Sequence, residues 1–168
     1  MRVSDTLSFL SGGWHVERAL RDHRSGVQGR FTGSASVVPQ PGGPGMSYRE
    51  SGELRFGGHT GPATRRLALG PGGDGTAEVR FADGRFFYLL DLRPGWWEAE
   101  HGCGDDHYLL AHRVLSEDLL EERWQVRGPA KDYLAITRLH RAHRAGDQPG
   151  DRDAAHAGIP GPPGTRRE

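Results

Sequence analysis

Apolar and polar residues alternate along most of this chain, and past residue 12 no helical period appears. Side chains on a strand point to opposite faces in turn, so a period of two marks half-buried strands. The stretches "WHVERALRD", "VQGRFTGSASVV", "SYRESGELRF", a shorter "RRLALG", "AEVRF" and "FFYLLDLR" read as six strands. "WWEAEHGC", "DHYLLAHRVL", "DLLEERWQVRG" and "KDYLAITRLHR" add four more. Gly, Pro and Asp punctuate them, as in "PQPGGPG", Asp83-Gly84 and Pro94-Gly95, which is the spacing of an antiparallel meander. Before them, "DTLSFL" fits one short helix with Ser4 as N-cap, stopped by Gly12 and Gly13. Ten consecutive strands must hide their edges. An up-and-down barrel does so by closing, and a two-sheet sandwich is the competing architecture. The predicted class is all-β, a ten-stranded antiparallel barrel with a short N-terminal helix.

Composition adjusts this picture at three points. From Ala142 the chain is rich in Gly, Pro, Ala and charge, with Ile159 as its one large aliphatic residue. Such a segment buries too little to offset ordering. Residues 1–141 are therefore expected to form one barrel domain and 142–168 a disordered tail. The formal net charge is zero, which gives no reason to expect nucleic acid or an anionic membrane as partner. Cys103 is the only cysteine and no long apolar run opens the chain, so a cytoplasmic protein is expected.

The candidate chemistry sits in "HGCGDDHY". If Gly104-Asp105 is a two-residue turn, Cys103 pairs with Asp106, His101 with Tyr108, Ala99 with Leu110 and Trp97 with His112. The opposite face carries Glu98, Glu100, His107 and Arg113 and is the expected solvent side. The same sorting puts Trp14, Val16, Arg18 and Leu20 inward on the first strand. It puts Tyr48, Glu50, Gly52, Leu54 and Phe56 inward on the third. It also places Leu120, Glu122, Trp124 and Val126 inward on the ninth strand, and Leu134, Ile136 and Arg138 on the tenth. Each inward set is apolar with one or two polar members. Arg18 and Glu50 either pair with each other or clamp a ligand carboxylate.

His101, Cys103, Asp106 and Tyr108 admit several chemistries. His and Cys are metal or haem ligands, though one thiol and an H-x-C-x-x-D spacing match no standard zinc site. Cys103 with His101, oriented by Asp106, is a thiolate–imidazole arrangement. Tyr108 or His101 suits acid–base catalysis of isomerisation, cyclisation or elimination. A hydrogen-bonded hairpin end, with Asp106 taking turn N–H groups, is the plain alternative. Lys131 and Asp132 fall at a turn on the expected barrel rim. One of Trp96 and Trp97 should face in, leaving Trp96 to cover an edge or a partner.

The Gly12-Gly13-Trp14 run with Arg138 in "AITRLHR" is similar to the calycin pattern of lipocalins and fatty-acid-binding proteins. There a Gly-x-Trp closes the barrel floor under an arginine from the last strand. That resemblance implies barrel closure by Trp14 and Arg138. From Trp14 to about Arg141 the chain more specifically resembles the uncharacterised domain family 6314. The resemblance is carried by "GWHVER", "YRESGELRF", "VRFADGRFFYLLDL", "HGCGDDHY" and "WQVRGPAKDY", and it implies no activity. The function expected from the residues is lumenal binding of a small, partly polar organic molecule. Its wall would be Arg18, Tyr48, Glu50, His101, Cys103, Asp106 and Tyr108. A small isomerase, cyclase or lyase using the hairpin cluster is the first alternative, and haem or metal binding the second. No cofactor is assigned. A protein-interaction module would instead require a filled lumen.

Overall fold

Neighbouring strands in the sequence are neighbours in space. The computed structural model describes residues 1–142, so the expected tail lies, from residue 143 on, outside the described residues. One short helix, α1 (Thr6–Leu10), precedes ten strands. They are β1 (Gly12–Asp22), β2 (Gln28–Pro39), β3 (Met46–Phe56), β4 (His59–Pro71) and β5 (Ala77–Phe81). Then come β6 (Phe86–Leu90), β7 (Trp96–Cys103), β8 (Asp106–Ser116), β9 (Leu119–Arg127) and β10 (Asp132–Arg141). All pair antiparallel in one sheet ordered β6-β5-β4-β3-β2-β1-β10-β9-β8-β7. The β1–β10 ladder joins the first and last strands, Trp14 opposite Arg141. A single sheet excludes the sandwich. The barrel is closed except between β6 and β7, which share no ladder.

That seam is bridged by rings instead. Tyr88 lies 5.4 Å from Trp97, and Phe87 meets His101 edge-on at 4.8 Å. A register shift between Val79 and Arg80 lets consecutive Phe87 and Tyr88 both be buried, which explains why this strand reads as apolar on both faces.

β4 is longer than "RRLALG" suggests, because Gly61 and Pro62 look like a loop in the sequence. Its first half pairs only with β3, and β5 joins it from Leu67 onward. Pro62 therefore sits where no second ladder needs its missing N–H. α1 is capped by Asp5, whose Oδ1 accepts from Ser8 N at 2.8 Å, one residue past the expected Ser4. Helix α1 plugs the lower end of the barrel, where Phe9, Leu10, Trp14, Val37, Leu92 and Leu139 are buried. The β7–β8 hairpin and the β9–β10 turn stand at the upper end.

The tenth strand is turned the other way from the sequence expectation. Ala135, Thr137 and Leu139 are buried, whereas Leu134 and Ile136 are half-buried on the outer face and Arg138 is exposed. The β1 register puts Thr137 beside Arg18, and a small side chain there leaves room for the guanidinium. This reversal moves the closing arginine. Arg138 pairs with Glu121 on the surface. Arg141, on the inward parity, lies 4.1 Å over the Trp14 ring and donates to Ser11 O and Phe9 O at 3.0 and 2.8 Å. It thus satisfies carbonyls at the end of α1 while holding Trp14, whose Nε1 donates to Leu10 O at 2.8 Å.

Candidate functional site

Six strands send polar side chains into the middle of the barrel. Arg18 on β1 grips Glu50 on β3 with two hydrogen bonds of 2.8 Å, and its Nε donates to Thr137 on β10 at 2.8 Å. Tyr48 OH donates to Glu50 Oε2 at 2.6 Å. Arg65 on β4 adds bonds to Tyr48 OH and Glu50 Oε2 at 3.1 and 3.2 Å. Its guanidinium is stacked between the rings of Tyr48 and Trp124, about 5 Å from each. It also lies 3.7 Å from Glu122 on β9, and Glu122 Oε1 lies 3.5 Å from Nε2 of His112 on β8. Of the two sequence readings for Arg18 and Glu50, the internal ion pair is the one present.

Two arginines and two carboxylates balance, so the node avoids the cost of an unpaired buried charge. Burial pushes Glu122 up, but His112, Arg65 and Arg18 outweigh it and hold the carboxyl at about 2. Burial likewise raises Glu50, and the donors of Arg18, Arg65 and Tyr48 bring it below the usual carboxylate range. The Tyr48 and Tyr88 hydroxyls are pushed up by burial, so both stay protonated.

Four buried atoms in this region have no hydrogen-bond partner: Arg65 Nε, His112 Nδ1, Glu122 Oε2 and Trp124 Nε1. Their residues all line one residual cavity of about 30 Å³ beside Tyr48 and Tyr88. That is room for about one water. The lower half of the lumen is thus filled.

Toward the upper end, Leu20, Leu54, Ala63, Tyr108 and Trp124 are half-buried, set among Phe31, Phe87 and Val126, which are buried at the same level. One wall is aromatic: Phe87 stands 5.6 Å from Trp124, 6.0 Å from Tyr108 and 4.8 Å from His101.

The hairpin register matches the sequence arrangement, with Cys103 opposite Asp106 and His101 opposite Tyr108. Gly104 makes the turn at φ +61°. The four side chains nevertheless diverge in surroundings. His101 and Tyr108 join the aromatic wall. Cys103 is exposed at the tip. Asp106 is taken by Lys131, which also reaches Tyr108 OH at 3.5 Å. A Cβ at Gly128 would meet Asp106 Oδ1 at 2.0 Å, so the Gly-Pro turn makes room for this pair. Asp106 and then Tyr108 raise the Lys131 ammonium, which keeps it charged and a poor nucleophile. Among the described residues no three His, Cys, Asp or Glu side chains are placed to hold a metal ion.

Sequence reasoning put Arg18, Tyr48 and Glu50 in the site, placed His112, Glu122 and Trp124 inward without assigning them to it, and missed Arg65. Arg65 was hidden by its neighbour Arg66, although sharing parity with Leu67 and the buried Leu69 marks it as the inward one. A larger depression of about 440 Å³ lies on the outside of β7, β8 and β9, between Glu98, Glu100, Leu109, Ala111, Arg123 and Gln125. It is an open trough between long surface side chains and contains none of the unpartnered buried atoms.

Residues 10–141 match the family described as a family of unknown function, DUF6314. No curated protein matches the chain in sequence. In three dimensions it is similar to the S-type phycobiliprotein lyase CPES from Guillardia theta, with TM-score 0.58 and 10% identity over 85% of this chain and 94% of that one. Two redesigned β-barrels bound to DFHBI give TM-scores of 0.43 and 0.44 at 13% identity, over 79% and 82% of this chain and 99% and 100% of theirs. At these identities the likeness to the lyase is one of fold alone. No helix among the described residues is long and apolar enough to cross a membrane.

Proposed function

The chain belongs to the family of unknown function DUF6314, and for it we propose a binding role: the barrel holds a small, partly polar organic molecule in the upper half of its lumen. The observation that supports this reading is a set of half-buried inward residues near the upper end, Leu20, Leu54, Tyr108 and Trp124, among the buried Phe31, Phe87 and Val126, and it is between them that we place a cup. Apolar walls above a few convergent polar groups are the usual make-up of a small-molecule site. Arg18, Tyr48 and Glu50 form the floor, and His101 and Tyr108 belong to the wall. Cys103 and Asp106 stand at the rim, where they border the entrance. The role is taken to be cytoplasmic, since the single cysteine suits a reducing compartment.

Titration with a neutral naphthalene dye, followed by its fluorescence, tests the reading. Saturable one-to-one binding is expected, reduced at least about tenfold in Leu54→Trp, where a larger side chain occupies the cup. Unchanged circular dichroism would show that this variant still folds. Equal dye binding by both proteins would place the dye elsewhere and contradict the proposal.

A further inference from the structure

The outer face of β7, β8 and β9 carries two charges that the chain leaves unused. Around the barrel, Glu98 lies opposite Ala111, and Ala111 opposite Arg123. Neither Glu98 nor Arg123 has a hydrogen bond or ion pair among the described residues. The other outward glutamates on the strands do. Glu17, Glu53, Glu78 and Glu121 each pair with an arginine, and Glu100 lies 3.6 Å from His107 Nε2. Glu98 and Arg123 stand two strands apart, about 10 Å, and the trough of about 440 Å³ runs between them over Leu109 and Ala111. A neighbouring depression continues it past Ala111 to Trp96. At 61%, Trp96 is the most exposed large hydrophobic residue among the described residues.

This layout is self-complementary. Give a second copy a half-turn about an axis along β8, so that the two faces meet. β7 and β9 then exchange places while every row keeps its height. Glu98 meets the partner's Arg123, and Arg123 meets the partner's Glu98. Glu100 and Gln125, which share the next row with Leu109, meet in the same reciprocal way. Leu109 and Ala111 lie on the axis and meet their own copies, as an isologous contact requires. Arg113 also meets its own copy, with the partner's Trp96 and Glu121 to either side. A half-turn about an axis across the strands, centred on the same trough, would instead set Glu98 against the partner's Glu100. The charges thus select the orientation.

We propose that this face docks a second copy of the chain, in a two-fold dimer whose axis runs along β8. The contact is three strands wide on a curved barrel, smaller than a permanent interface, so the dimer is weak and salt-sensitive. It is independent of the lumenal binding role.

Sedimentation equilibrium of the full chain, from about 10 µM to about 1 mM, tests the proposal. The weight-average mass is expected to rise toward that of a dimer with concentration, and to rise less in about 1 M salt. Glu98→Arg or Arg123→Glu alone sets like charges opposite each other and should weaken association at least about tenfold. Both residues are exposed, and circular dichroism checks that each variant folds. In an equimolar mixture of the two variants every facing pair is again one acid and one base, so the mixture should dimerise as the unaltered chain does. Neither variant can form the pair within one chain, so recovery in the mixture reports a contact between chains. A monomer at every concentration would overturn the proposal. So would single variants that associate like the unaltered chain, or a mixture that associates no more than its components.

Discussion

Arg141 shows how much one side chain can hold together. It stacks on Trp14 and satisfies two carbonyls at the end of α1. Arg141→Ala should cost about 2–3 kcal/mol, from one cation–π contact and charge-assisted hydrogen bonds. Arg138→Ala, which removes an exposed pair with Glu121, should cost less than about 1 kcal/mol. Urea unfolding of the two variants checks both. The sequence resemblance pointed to Arg138 because both arginines lie in the last strand, three residues apart. Three is odd, so they face opposite sides, and only the ladder with β1 says which side is in. Glu122 gives a second residue-level test. Its carboxyl lies at about 2 in the folded chain against an ordinary 4.5. A depressed carboxyl stabilises the fold above its unfolded value, and this is lost as pH falls through the folded one. Melting temperature should therefore be flat above about pH 5 in this respect and fall toward pH 2. Glu122→Gln should show a shallower fall in the same scans. An identical slope in both proteins would show that Glu122 is not held low.

Two features govern the strands as elements. Gly33 and Gly52 lie opposite each other on β2 and β3 under the Phe31 ring. A Cβ on Gly33 would meet Ser51 O at 2.2 Å and one on Gly52 would meet Thr32 O at 2.2 Å. Gly33→Ala should destabilise by more than about 2 kcal/mol, whereas Gly43→Ala, with nothing within 4 Å, should be close to neutral. The second feature is the seam. Because β6 and β7 share no ladder, their seam-facing amides should exchange with deuterium faster than those of β8 and β9, which are paired on both sides. Strand existence was legible from period-two alternation nearly everywhere. The first half of β4 was not, because Gly61 and Pro62 are loop-like unless one knows that this half is an edge. Nor was the seam, because period-two alternation does not say which neighbouring strands form a ladder.

For the whole molecule, the sequence indicated a barrel with polar groups inside, and the structure shows its lower half filled beneath a node of Arg18, Glu50, Arg65 and Glu122. Alternation tells which side chains face in. It does not tell how far inward-facing residues from opposite walls stand apart, so this filling could not be read beforehand. The pairing of the hairpin was legible, but the contact of Asp106 with Lys131 was not, because only the β9–β10 turn brings that lysine over it. The central claim is that a small molecule sits in the cup. Its most direct test is ¹H–¹⁵N chemical-shift mapping of the protein saturated with the neutral naphthalene dye. The account predicts that the shifted amides and indoles cluster at Leu20, Leu54, Arg65, Tyr108 and Trp124. Shifts confined to the outer trough at Glu98, Leu109 and Arg123, or no shifts at all, would contradict it.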